Sequence, residues 1–185
     1  MREDILKDVR DRMSKAVAHY EDELRGVRTG RASPGLVEGI KVDYYGSPTP
    51  VKQLATISIP EPRQIVVKPY DSSVTAEVEK AILKSDLGIT PQSDGKIIRL
   101  SLPPLSQEQR EKTVARVRDM AEECRVSVRN IRRDGNKQAD QAGKEKLLSE
   151  DDVKSLQSEI QDETKTAEKK IDEILKKKSD EIRSM

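Results

Sequence analysis

The chain has no tryptophan, no phenylalanine, one cysteine and one histidine in 185 residues. Each shortage closes off some chemistry. A lone Cys124 excludes an internal disulfide and points to a reducing compartment. With a single histidine and a single cysteine, most metal and nucleophile constellations lack their members. The sequence has no GxxxxGK[ST] loop, no GxGxxG turn and no HExxH helix. An enzyme reading therefore has no candidate constellation, and neither a cofactor nor a metal is expected. Long apolar runs are missing too: none approaches the length of a membrane span, and the opening MREDILKDVRDRM lacks the apolar core of a signal peptide. The expected setting is cytoplasmic, with no membrane and no small-molecule substrate, and action through binding and shape.

Net charge is also scarce. Lys and Arg number 35 against 34 Asp and Glu, a balance of +1, so any attraction to nucleic acid must come from a local patch. What the chain does have is charge of both signs, 37% of residues, with only 2% aromatics. That composition favours long helices with narrow apolar stripes. Disorder usually accompanies high net charge and weak periodicity, and here the periodicity is strong.

Three segments step by threes and fours. The first carries Leu6, Val9, Met13, Val17, Tyr20, Leu24 and Val27; the second Val114, Val117, Ala121, Cys124, Val128 and Ile131. The third carries Val153, Leu156, Ile160, Ala167, Ile171, Ile174 and Ile182, with a polar gap near Thr164. No stripe is wide enough to be buried by its own helix, so three helices packed together are predicted. Ser106 to Gln109 reads as a capping box and Ser149 as a hydroxyl cap before three acids. Gly135 and Gly143 each cost about 0.5–1 kcal/mol relative to alanine in a helix, which predicts a bend or fraying in the lower second helix.

All nine prolines fall between Pro34 and Pro104, in a block with the β-branched runs GIKVDYYG, VKQLATISI, RQIVVKP and KIIRLSL. A helical stretch near 73–87 interrupts them and stops at Gly88. Tyr44 and Tyr45 are expected to lie side by side in a strand, facing opposite sheet surfaces. The fold class is therefore α+β: an elongated three-helix bundle from residues 1–30 and 105–185, with a small β/α/β domain, 31–104, inserted. Two short connections join them, at Gly30 and Arg31 and at Pro103 and Pro104. They form a hinge if the domains swing, or a fixed joint if the two pack rigidly.

On a helix, Arg118, Arg125, Arg129 and Arg132 fall within an arc of roughly 60°, beside the apolar seam. Arg133 widens the row and Glu122 interrupts it. Guanidinium groups pair bidentately with phosphate and stack on bases, so the row fits an RNA backbone. The plain alternative is a solvated face paired with acids, yet no acid lies four residues from Arg125 or Arg129 and none occurs in 125–133. His19 lacks catalytic partners and reads as structural. Cys124 sits on the seam and reads as a small buried hydrophobe.

VRTGRASPG, VDYYGSPTPVKQLA, VEKAILKSDLG, IRLSLPPLSQEQR and VSVRNIRRD, in this order, resemble the bacterial ribosome recycling factor family over essentially the whole chain. The resemblance implies an L-shaped, tRNA-like molecule. It implies release of ribosomes from messenger RNA after termination, by splitting of the post-termination complex together with elongation factor G and GTP. It implies binding to the 70S ribosome and to large-subunit 23S rRNA, with Arg110, Arg129 and Arg132 matching implicated positions and Arg31 matching a hinge arginine. Arg125 and Arg133 complete the expected rRNA-binding set. A monomer is expected, because three helices consume their own stripes. A structural adaptor, which would oligomerise through those stripes, and a helical RNA chaperone are the alternatives.

Overall fold

The computed structural model describes residues 1–184. In chain order the elements are α1 (Arg2–Arg25), α2 (Gly35–Glu38), β1 (Lys41–Tyr44), β2 (Ser47–Pro50), α3 (Val51–Leu54), β3 (Ala55–Glu61) and β4 (Gln64–Pro69). A 3-10 turn, Ser72–Val74, then leads into α4 (Thr75–Lys84), followed by β5 (Gln92–Ser93), β6 (Ile98–Ser101), α5 (Gln107–Lys144) and α6 (Glu150–Arg183). The class is α+β, with long helices and a small sheet domain. Among the described residues, no helix is long and apolar enough to cross a membrane. The chain separates into two compact units. One comprises Met1–Leu24 with Val114–Asp180; the other comprises Arg25–Thr113 with the chain from Glu181.

The first unit is built from three helices. Val9, Met13, Val17 and Tyr20 of α1, Val117, Ala121 and Val128 of α5, and Leu156, Ile160 and Ile171 of α6 are buried. Full burial of each aliphatic side chain is worth about 1.5–3 kcal/mol before entropy is counted. The first stripe begins one residue earlier than its spacing predicts: Ile5 is buried, four residues before Val9, and Leu6 is only half-buried. The polar gap in the third stripe is filled by Thr164 itself, buried, with its hydroxyl donating to the Ile160 carbonyl at 2.8 Å.

Helix α5 runs unbroken through both glycines. A β-carbon at Gly135 would sit 2.6 Å from Val9 Cγ2 and 3.2 Å from Ile160 Cδ1; one at Gly143 would sit 2.9 Å from Val153 Cγ2. The predicted fraying is therefore absent, the helix continuing to Lys144. The propensity cost is offset by packing, because only hydrogen at these positions lets the neighbouring helices come this close.

Both caps form as read. The Ser106 N–H donates to Gln109 Oε1 at 3.0 Å and the Gln109 N–H to Ser106 Oγ at 3.2 Å. The Asp152 N–H donates to Ser149 Oγ at 3.1 Å, and the Ser149 hydroxyl returns to Asp152 Oδ2 at 2.6 Å.

In the second unit, β3, β4, β6 and β5 lie side by side in that order, all antiparallel, and β1 pairs with β2 as a separate hairpin. Period-two alternation puts Ile65 and Val67 of β4 and Ile98 and Leu100 of β6 into one core with Val78 and Ile82 of α4. Two strand expectations fail locally. VKQL is a helical turn, α3, entered from the extended Pro50 at its N-cap, and it buries Val51 and Leu54, three apart, together. Tyr45 is not in the strand either. It occupies the β1–β2 turn at φ +49, followed by Gly46 at +83, and Asp43 Oδ1 accepts the Gly46 N–H at 2.8 Å. Instead of facing opposite sheet surfaces, the Tyr44 and Tyr45 rings meet edge to face at 4.7 Å. The helix predicted near 73–87 is shorter, ending at Lys84, where the Ser85 hydroxyl donates to the Ile82 carbonyl at 2.5 Å.

Candidate nucleic-acid interface

The arginine row lies on α5 in the first unit. Its seam neighbours Cys124, Val128 and Ile131 are buried, which fixes the rotation of the helix and brings Arg125 and Arg132 within reach of α6. Arg118 and Arg133 are exposed, and Arg125, Arg129 and Arg132 are half-buried. Their aliphatic stems lie on the bundle while the guanidinium heads reach its surface.

The heads are not all free. Arg125 Nη1 lies 3.1 Å from Glu122 Oε2, and Arg125 Nη2 lies 2.5 Å from Asp172 Oδ1 of α6. Arg129 Nη2 lies 2.5 Å from the other Glu122 oxygen, Oε1. Arg132 Nη1 donates to Gln161 Oε1 of α6 at 3.3 Å. The spacing rule that found no acid four residues away missed these partners. Glu122 stands three residues before Arg125 and seven before Arg129, and Asp172 arrives from another helix. Only the Glu122 pairing left a trace in the sequence, as the one acid interrupting the row.

These contacts shape the electrostatics. Hydrogen bonds from Arg129 and then Arg125 hold the Glu122 carboxyl below the usual carboxylate range. Asp172, ahead of Glu122, biases Arg125 further toward its charged form, against a smaller effect of burial. Arg118 and Arg133 make no ion pair among the described residues. The flank therefore offers two unpaired guanidinium groups about 22 Å apart along the helix, at 1.5 Å per residue, with a paired set between them. Donors of this kind suit a line of phosphates.

The remaining site residues lie in the second unit. Arg110, in the first turn of α5, is half-buried and its Nε donates to the Leu105 carbonyl at 3.2 Å. Gly30 has φ +90, a conformation that glycine adopts without strain. Arg31 is exposed, as are Pro103 and Pro104. Arg28 Nη2 donates to the Pro103 carbonyl at 2.9 Å. Just inside the two connections, the Ala32 N–H donates to the Pro62 carbonyl at 2.7 Å and the Leu102 N–H to the Arg63 carbonyl at 2.8 Å. Both connections are thus tied to one corner, the turn between β3 and β4.

Neither residue with nucleophile character is placed for chemistry. His19 is exposed, with Nδ1 3.5 Å from Glu23 Oε2. Burial pushes the Cys124 thiol up, and its Sγ lies 3.5 Å from the Ala16 carbonyl.

Comparison with known proteins gives a consistent picture. The family described as "Ribosome recycling factor" matches residues 20–182. The ribosome-recycling factor of Carboxydothermus hydrogenoformans is 51% identical over 185 residues, covering all of both chains. That of Syntrophomonas wolfei is 50% identical over 182 residues, covering 98% of each. A solution structure of the ribosome recycling factor superposes with a TM-score of 0.79 at 41% identity, covering 100% of this chain and 98% of that one. The T. thermophilus ribosome recycling factor, bound with E. coli elongation factor G to the E. coli post-termination complex, gives a TM-score of 0.69 at 40% identity. That match covers 98% of both chains.

Proposed function

The chain belongs to the ribosome recycling factor family, and we propose that the flank of α5 bearing Arg125, Arg129, Arg132 and Arg133 is the surface by which it docks on ribosomal RNA of the large subunit. It acts as a translation factor and not as an enzyme. It works on the post-termination complex together with elongation factor G and GTP, separating the large subunit from the messenger-bound small subunit, in the cytoplasm. The T. thermophilus relative, bound beside elongation factor G on such a complex, supports this assignment.

The observation that carries the docking surface is the arginine edge itself, on a chain whose net charge of +1 supplies no general attraction to RNA. Buried seam residues set the helical spacing of the row, and the neutral Gln161 of α6 holds Arg132 in place. Fixed donors lose less entropy on binding than free ones. Arg110 is a further rRNA contact on this reading. Gly30, Arg31, Pro103 and Pro104 form the hinge, a role supported by the anchoring of Ala32 and Leu102 immediately inside it.

The test is binding of Arg132→Ala to isolated 50S particles over a range of salt. The expected result is affinity lowered on the order of tenfold, with the slope of log K against log salt flatter by about one. Affinity and slope both equal to those of the parent chain would remove the docking flank.

A further inference from the structure

One carboxylate lies inside the basic flank and uses both its oxygens there. Glu122 Oε1 holds Arg129 and Oε2 holds Arg125, while Asp172 of α6 takes the second nitrogen of Arg125. We propose that Glu122, assisted by Asp172, is a specificity-determining residue. Its carboxylate competes internally for the two central arginines, which are given up only to RNA whose phosphates arrive at matching spacing. The inference rests on the docking reading above and adds how that surface discriminates.

Three features carry it. The carboxylate is a chemical mimic of the ligand, an oxyanion offering two acceptor oxygens to guanidinium forks, as phosphate does. It is also displaceable. The Glu122 side chain is 54% exposed, and exposed ion pairs are weak and screened by salt, so a well-placed phosphate pair can replace it where an isolated one gains little. Finally, the pairing is uneven along the row. Arg118 and Arg133 are unpaired at the ends and available for first contact, while Arg125 and Arg129 in the middle are occupied. An unstructured RNA meets the end arginines readily but must also displace the carboxylate to gain the centre. A rigid rRNA surface presents several phosphates at once and does so in one step.

The ordinary alternative is a pair of surface salt bridges that only orient the arginines. The two readings predict opposite signs. If Glu122 only orients its partners, removing its charge weakens RNA binding of every kind. If it competes, removing its charge strengthens binding, most of all to RNA that cannot displace it.

The experiment uses the full chain and its Glu122→Gln, Asp172→Asn and Arg132→Ala variants, titrated with poly(U) and with 50S particles at several salt concentrations. Glu122→Gln is expected to bind poly(U) about five- to tenfold more tightly and 50S particles within about twofold of the parent, which narrows the discrimination between them. Asp172→Asn should shift poly(U) binding in the same direction by less, because it removes one contact to Arg125, which Glu122 still holds, whereas Glu122→Gln removes a contact to Arg125 and the one ion pair of Arg129. Unchanged or weaker poly(U) binding by Glu122→Gln overturns the proposal. Arg132→Ala separates the two levels. If it leaves 50S binding intact, the docking surface is wrong; if it weakens 50S binding while Glu122→Gln leaves poly(U) binding unchanged, only the competitor fails.

Discussion

Gly135 of α5 faces Val9 of α1 across a gap so narrow that a β-carbon there would stand 2.6 Å from Val9 Cγ2. Val9 is fully buried and β-branched, so its methyl group has no open rotamer to retreat into. Gly135→Ala should therefore destabilise the protein. Overpacking costs about 1–3 kcal/mol and outweighs a helix-propensity gain of at most about 1 kcal/mol. Chemical denaturation with an unchanged m-value and a lower midpoint is the expected outcome. A higher midpoint would show that propensity governs this position.

Tyr20 is 1% exposed, with its hydroxyl 3.3 Å from the Val117 carbonyl, and burial pushes its phenol up to about 12 from 10.0. The raised value stabilises the fold fully below pH 10. That contribution is lost as pH rises from 10 toward 12, where the unfolded chain ionises and the folded one resists. Tyr20→Phe should cost about 0.5–1.5 kcal/mol at neutral pH through the lost hydrogen bond. It should also flatten the alkaline decline. Equal alkaline slopes in both proteins would assign that decline to other groups.

At the start of α6, Ser149 and Asp152 cap each other, and the Ser149 hydroxyl and N–H hold the Asp152 carboxyl below its ordinary 3.8. A depressed carboxylate contributes stability above that ordinary value, and the contribution is lost as pH falls through the lower folded one. Ser149→Ala removes the cap and should cost about 1 kcal/mol at pH 7. The Asp152 carboxyl should then titrate closer to 3.8, as followed by NMR of its side-chain carbon.

The hinge reading predicts a split between binding and action. Replacing Pro103 and Pro104 together with glycine loosens one connection without touching the arginine flank. The 50S affinity should stay within about twofold, since no phosphate contact is lost, while subunit splitting with elongation factor G and GTP slows severalfold more. Parallel loss of both would overturn the hinge reading.

Much of the architecture could be read from spacing. The six seam residues of α5 from Val114 to Ile131 are all buried, and both hydroxyl caps form where they were read. The failures were local. VKQL runs into the β-branched ATISI and shares its strand reading, yet Lys52, Gln53 and Leu54 are themselves good helix formers, and at YYG a turn-forming Asp43–Gly46 bond overrode strand propensity. Glycines judged as defects in a helix turned out to be sites of close approach, a property of the facing helix that no single-helix rule contains.

The sequence by itself determined which residues could be buried, where the long helices begin, and that a row of arginines would share one edge of α5. Periodicity and capping are properties of neighbours along the chain, and neighbours are written in order. Tertiary structure alone decided that Asp172 and Gln161 would meet that row from α6, and that Val9 would leave room only for a glycine. Those outcomes depend on the rotation and depth at which one helix packs on another, and packing brings together residues that are tens of positions or more apart.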